Sequence, residues 1–187
     1  TRPIPGSNIR TTIDLQLQLF CENLMTDKKG VILVGDPLSG GVLAATSAPD
    51  YSPDFFTGLI TESNWKDMST NQDKPLLNRY IQGTYIPGSI VKMITQAALL
   101  KQDNFDKNNK YHCPGFYQFG DRIFGCWFTE GHGSLNLVEA MSVSCDVYFY
   151  KTVTELSLEN LYDTFNQFGF GSKTNIDIPN EASGLVP

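Results

Sequence analysis

Tyr85-Ile86-Pro87-Gly88-Ser89-Ile90-Val91-Lys92-Met93 is the stretch on which the reading of the chain turns. Pro87 and Gly88 break the backbone. Ser89 then opens an apolar run of Ile90, Val91, Met93, Ile94, Ala97, Ala98, Leu99 and Leu100. Apolar residues on every side predict a buried helix. Ser89 falls in its first turn, among the unpaired N–H donors of a helix start. Lys92 follows one turn later on the same face, within reach of the Ser89 hydroxyl. Apolar surroundings disfavour a charged lysine, which suits an amine acting as a base. A nucleophile, an adjacent base and a positive helix end for an oxyanion are the parts of serine acyl transfer.

S-x-x-K is a short pattern, and the chain holds a second copy, Ser63-Asn64-Trp65-Lys66, in a polar stretch with no apolar run behind it. That copy reads as surface. On pattern alone, a helix cap followed by a snorkelling lysine accounts for Ser89 and Lys92 equally well.

The 187 residues suffice to bury a core as one domain, and 41% hydrophobic with 12% aromatic content is that of a globular protein. A net charge of −6 argues against nucleic acid as a partner, which calls for a basic face. No apolar run approaches a membrane span and no secretion signal opens the chain. An exported or anchored protein would carry those parts outside it.

Outward from the central stretch, residues 1–10 read as an extended lead-in, with Pro3, Pro5 and Gly6 opposing regular structure. Thr11-Thr12-Ile13-Asp14 offers caps for a helix bearing Leu15, Leu19, Phe20 and Leu24, on which Cys21 is a small buried hydrophobe. Gly30–Asp36 and Gly41–Ser47 predict two apolar strands joined by a turn at Pro37–Gly40. Two strands do not make a stable sheet, so further partners are expected. Residues 48–82 read mostly as loop, with a short helical piece near Phe55 to Ile60, and Cys113 to His132 as a loop rich in aromatics and glycine. Ser134 is expected to cap a helix through Met141, which Ser144-Cys145-Asp146 interrupts before Val147 to Leu156. Ser157 caps another helix that Gly169 stops.

Ser144-Cys145-Asp146 is a second candidate motif. Its S-x-N/D form recurs at Ser52-Pro53-Asp54 and Ser69-Thr70-Asn71, but only here does it fall between two apolar helical stretches. A break in which Asp146 caps the next helix is one reading; placing a serine and an acid for chemistry is another, and the two are compatible.

With these residues in view, the chain resembles the N-terminal part of the transpeptidase domain of class B penicillin-binding proteins, within them the elongation-type penicillin-binding protein 2 group. The resemblance rests on Thr12-Ile13-Asp14 with Gln18, the Asp36-Pro37 to Gly40-Gly41 hairpin, Ala48-Pro49-Asp50-Tyr51, and Pro75 with Asn78-Arg79. It continues through Tyr85 to Ser89 with Lys92, Cys113-Pro114-Gly115, Gly131-His132-Gly133, Ser144-Cys145-Asp146 with Phe149-Tyr150, and Phe168-Gly169-Phe170-Gly171. S-x-x-K and S-x-N/D stand in the order these proteins use; the third signature, Lys-Thr-Gly or Lys-Ser-Gly, is nowhere in the chain.

The implied fold class is α/β: a partial serine transpeptidase/β-lactamase-like fold, a helical subdomain plus a β-hairpin of an incomplete antiparallel sheet. Residues 11–187 would form the N-terminal part of the domain. The implied activity is peptidoglycan D,D-transpeptidation in cell elongation, through a serine acyl-enzyme that β-lactams also form. Ser89 would attack the D-Ala-D-Ala carbonyl and Lys92 would deprotonate it. Ser144 would relay a proton between Lys92 and the leaving amine. Asp146, where Asn is commoner, would orient the lysine or bind substrate, and the Ser89 N–H would serve an oxyanion. Implied partners are the stem peptide, β-lactams and a membrane-embedded elongation glycosyltransferase reached through parts beyond this chain. The implied location is the extracytoplasmic, periplasmic face, with an anchor in the cytoplasmic membrane. Without the third signature and the later strands, this segment is expected to be inactive and, with an open sheet edge, to self-associate. The alternatives are a hydrolytic relative, a D,D-carboxypeptidase or β-lactamase, and a β-lactam-sensing or scaffold domain.

Cys113, Cys126, His132 and Cys145 form C-x12-C-x5-H-x12-C, a Cys3His set of the kind that holds tetrahedral zinc. Zinc would fix the loop against the Ser144 junction, and some members of the resembled branch carry a metal at these loop positions. A Cys113–Cys126 disulfide and free buried thiols are the other readings.

Overall fold

The computed structural model describes residues 6–186, so residues 1–5 of the expected lead-in lie outside the described residues. The chain divides into two compact units, one of residues up to Thr84 with Asp177–Ala182, the other of Tyr85–Ile176 with the last residues. None of the described helices is long and apolar enough to cross a membrane.

In the first unit, Asp14 caps α1 (Leu15–Leu24) by accepting from the Leu17 N–H at 3.0 Å. The strands β1 (Gly30–Gly35) and β2 (Val42–Ala48) pair antiparallel as expected, with a register shift at Val34/Gly35. Their turn is set by Asp36, whose carboxylate accepts from the Leu38 N–H at 2.9 Å and the Ser39 hydroxyl at 2.6 Å. Gln18 ties α1 to β2, accepting from the Ala45 N–H at 2.8 Å and donating to its carbonyl at 3.0 Å. The stretch read as loop holds α2 (Glu62–Ser69) and α3 (Arg79–Gln82). The first was hidden because it is mostly polar, with Trp65 and Met68 its only apolar residues and none buried, and the second because it is a single turn. Ser63 and Lys66 stand exposed on α2, as the surface reading of that S-x-x-K copy requires. The buried Arg79 guanidinium is held by backbone carbonyls alone, those of Pro49, Asp73, Lys74 and Leu77.

The second unit opens with a 3-10 turn, Gly88–Val91, that runs into α4 (Lys92–Leu100). Ser89 therefore stands in a tight turn ahead of the α-helix rather than in its first turn. Gly88 at φ 57° sets the chain into that turn. The helix is also not buried on every side. Lys92, Ile94, Thr95, Ala98 and Leu99 are buried, while Ile90 (64%), Met93 (58%) and Leu100 (48%) remain exposed. Packing against α5, α6 and α7 covers only one face.

The aromatic loop is not irregular. It carries β3 (Tyr111–Cys113), the hairpin β4 (Phe116–Phe119) and β5 (Arg122–Gly125), and β6 (Gly133–Leu135), which returns antiparallel to β3. Asn136, not Ser134, caps α5 (Leu137–Ser142): its side chain accepts from the Glu139 N–H, and Glu139 reaches back to the Asn136 N–H at 2.9 Å. Ser134 is taken up in β6. α6 (Asp146–Val153) and α7 (Leu158–Gln167) complete the unit, with Ser157 capping α7 as expected. The core gathers Leu137, Ala140, Val147, Tyr148 and Phe149 around three thiols, Cys113, Cys126 and Cys145.

Candidate active site and thiol cluster

The junction between α5 and α6 is built by hydrogen bonds that end one helix and start the next. The Ser144 N–H donates to the Met141 carbonyl at 3.1 Å and the Cys145 N–H to the Ala140 carbonyl at 2.9 Å. That is a Schellman ending, with Ser144 in the left-handed position at φ 51°. A non-glycine residue there is strained by about 1–2 kcal/mol. Cys145 and Ala140, both 0% exposed, supply the apolar contact that accompanies such an ending. Cys145 rather than Asp146 then caps α6, its sulfur facing the Tyr148 N–H at 3.5 Å, because Asp146 is already the first helical residue.

Lys92, 9% exposed, lies against this junction. Its amine donates to the Ser144 carbonyl at 2.7 Å, the Ser144 hydroxyl at 3.0 Å and Asp146 Oδ1 at 2.6 Å. The Phe149 ring covers it, 5.8 Å from the ring centroid. All three bonds run to Ser144 and Asp146; the direct Ser89–Lys92 bond expected from spacing is not among them. The surroundings are also not purely apolar, because a helix C-terminus draws a cation and the first turn of the next helix places a carboxylate. Ser89 is exposed one 3-10 turn before Lys92. With three residues per turn, positions three apart eclipse, which keeps the pair on one side.

Burial pushes the Asp146 carboxyl up, but the Lys92 amine and the Trp127 N–H, 3.0 Å from Oδ2, more than offset it, and the group lies below its ordinary value. The Trp127 indole N–H donates to the Val143 carbonyl at 3.0 Å. Nothing in the sequence singled out Trp127, and Phe149 stood only among the residues that carry the resemblance, with no role of its own. An aromatic in a polar loop gives no periodic signal, and Phe149 reads only as core.

On the other side of the junction, the ligand atoms of Cys113, Cys126, His132 and Cys145 all lie within 4.8 Å of one another. His132 Nδ1 is 3.5 Å from the Cys126 sulfur and 3.8 Å from that of Cys113, while Nε2 is buried without a partner. The backbone crosses itself closely beneath. A Cβ on Gly115 would sit 2.0 Å from the Thr129 carbonyl oxygen, and one on Gly131 would sit 2.4 Å from that of Cys113. All four cysteines of the chain are free thiols, and Cys21 is buried on α1, apart from this set. Burial raises the Cys126 thiol, but the N–H groups of Phe128, Val147 and Asp146 more than offset it and hold it below its ordinary value; burial pushes Cys145 up to about 12. Three sulfurs and one imidazole nitrogen, buried, converging and supplied with N–H donors, fit the ligand set of a tetrahedral zinc ion.

A lysine buried between a serine and an acid, one turn from an exposed serine, is the arrangement of the serine transpeptidase class. Residues 30–187 match the family described as "Penicillin binding protein transpeptidase domain", to which the chain belongs. Within it the likeness runs to the PBP2 kind. The peptidoglycan D,D-transpeptidase MrdA of Acinetobacter baumannii is 33% identical over 187 residues, covering 99% of this chain and 28% of that protein. The penicillin-binding protein PBP2 from Helicobacter pylori, also solved in complex with MreC, superposes with a TM-score of 0.88 at 39% identity, covering 94% of this chain and 33% of that one. Pseudomonas aeruginosa PBP2 gives 0.88 at 35%, covering 99% and 42%. The chain thus spans about a third of the length of these relatives, whose serine transpeptidase fold it shares.

Proposed function

We propose that the protein carrying this chain is a peptidoglycan D,D-transpeptidase of cell elongation that β-lactams acylate. The observation that carries this reading is the buried Lys92 amine locked between Ser144 and Asp146, one turn from the exposed Ser89. Ser89 Oγ attacks the carbonyl of the penultimate D-Ala; with Lys92 in its neutral form, the Ser89 proton passes to that amine as the C–O bond forms. Ser144 Oγ, 3.0 Å from that amine, returns a proton to the departing D-Ala nitrogen as the C–N bond breaks. The amine of a second stem peptide then attacks the ester, and Ser89 recovers its proton. Asp146 fixes the lysine, and the Ser89 N–H stabilises the oxyanion. A β-lactam follows the first half of the same path.

Cys113, Cys126, His132 and Cys145 would hold zinc. Bound there, the ion would contribute folding free energy and hold the loop, with no part in the acyl transfer. The later strands of the sheet, the third signature and an anchor at the extracytoplasmic, periplasmic face would come from other parts of the protein, as would contacts to an elongation glycosyltransferase or to an MreC-like partner.

The test is labelling of the full-length protein with a fluorescent penicillin and mapping of the adduct. Attachment to Ser89, lost in Ser89→Ala, is the expected result; attachment elsewhere, or persistence in that variant, overturns the reading.

A further inference from the structure

One residue holds both sides of the strained Ser144 turn. Trp127 follows Cys126 directly, and its ring packs edge-on against His132 at 5.2 Å between centroids. Its indole N–H donates to the carbonyl of Val143, the residue before Ser144. Its backbone N–H donates to Asp146 Oδ2, the oxygen that Lys92 does not use. Val143 is the C-cap of α5, so its carbonyl is one of the groups a helix end leaves without an intrahelical partner. A non-glycine residue at φ 51° persists only where its surroundings over-determine it. Here Lys92 holds the Ser144 carbonyl from one side and Trp127 holds the peptide before it from the other.

We infer that Trp127 is a positioning residue for acylation, setting through these two bonds where the Ser144 hydroxyl and the Asp146 carboxylate meet the Lys92 amine. The inference rests on the transpeptidase reading above. The bonds of Trp127 run to Val143 and Asp146 rather than to Ser89, Lys92 or the Ser144 hydroxyl, and it acts through those two residues. Trp127 itself is 64% exposed, so burial explains little of its presence there. Without the indole bond the Val143 carbonyl loses its partner, and the Val143–Ser144 peptide is held only by the Ser144 N–H bond to Met141. The Ser144 turn can then relax, and the hydroxyl leaves the 3.0 Å position from which it exchanges a proton with Lys92.

The experiment replaces Trp127 in the full-length protein with its benzothiophene isostere, which keeps the ring and its contact with His132 but puts sulfur in place of the N–H. Trp127→Phe is a second variant, and 5-fluorotryptophan, which retains the donor, is the rescue. Benzylpenicillin acylation is followed under single-turnover conditions, separating the binding constant from the acylation rate constant, with metal content measured on the same samples. The isostere is expected to lower the rate constant about ten-fold, as for one lost hydrogen bond, while binding and metal content hold and 5-fluorotryptophan restores the rate. An unchanged rate constant overturns the inference, as does a loss that tracks lost metal or weakened binding. Failure of the unaltered protein to acylate at Ser89 is a separate observation and sinks the transpeptidase reading itself.

Discussion

Two helices of the second unit end in the same hydrogen-bond pattern with different residues at the critical position. After α7, the Gly169 N–H donates to Asn166 at 2.9 Å and the Phe170 N–H to Phe165 at 3.1 Å, with the Phe165 and Phe170 rings in contact. After α5, Ser144 and Cys145 make the same two bonds to Met141 and Ala140. Gly169 takes its φ of 83° without strain, whereas Ser144 holds 51° against its own β-carbon. The first ending only stops a helix. The second must present a hydroxyl, so it keeps a side chain where glycine is more comfortable, and Lys92 and Trp127 hold it there.

That contrast can be broken from either end. The largest effect is expected from Lys92→Ala, which removes both the proton carrier and the bond to the Ser144 carbonyl. Penicillin acylation of the full-length protein should fall by about a thousand-fold, and a fall of less than ten-fold would detach the lysine from the chemistry. Next is Ser144→Gly, which makes the junction resemble the end of α7. Acylation should drop about a hundred-fold, while urea unfolding changes by no more than about 1 kcal/mol, because relieved strain opposes a more flexible unfolded chain. A large loss of stability would show that the serine was there for the fold.

A strong chelator should lower the melting temperature by about 5–10 °C, and Cys126→Ser should abolish the bound metal; a metal-free protein with an unchanged melting curve rejects zinc. Gly169→Ala should cost about 1 kcal/mol and leave acylation alone, since nothing lies within 4 Å of the added methyl and the loss is conformational. The smallest effect concerns Glu139. Its capping bond to Asn136 holds the carboxyl below its ordinary value. A depressed folded value means the contribution is complete above the unfolded value and lost as pH falls through the folded one. Glu139→Gln should therefore flatten the acid limb of the stability curve below about pH 4, and an unchanged limb would show that the cap is not responsible.

Much of this was legible beforehand, for identifiable reasons. The β1–β2 hairpin announced itself through apolar runs on either side of Pro37–Gly41, α4 through the apolar run after Pro87-Gly88, and α7 through Ser157 and Gly169. The Ser144-Cys145-Asp146 break stood out because polar residues interrupted an apolar pattern. The four strands around the thiols were missed because Tyr111–Cys113 and Gly133–Leu135 are three residues long and Phe116–Phe119 and Arg122–Gly125 four, too short to show a period of two. The partners of Lys92 lie more than fifty positions away, at Ser144 and Asp146, and only folding reveals that it faces them rather than Ser89. Ser134 and Asp146 resembled caps by residue type, but Asn136 with Glu139 and Cys145 occupy those places by geometry.

Along residues 144–146, consecutive side chains serve opposite faces: Ser144 and Asp146 turn to the lysine, and Cys145 between them turns to the sulfur cluster. Point changes can disturb one face at a time. An insertion or deletion of a single residue would instead exchange the two, aiming a thiol at the amine and a carboxylate or hydroxyl at the cluster. A substitution in the tripeptide thus damages one face, whereas a change of length damages both.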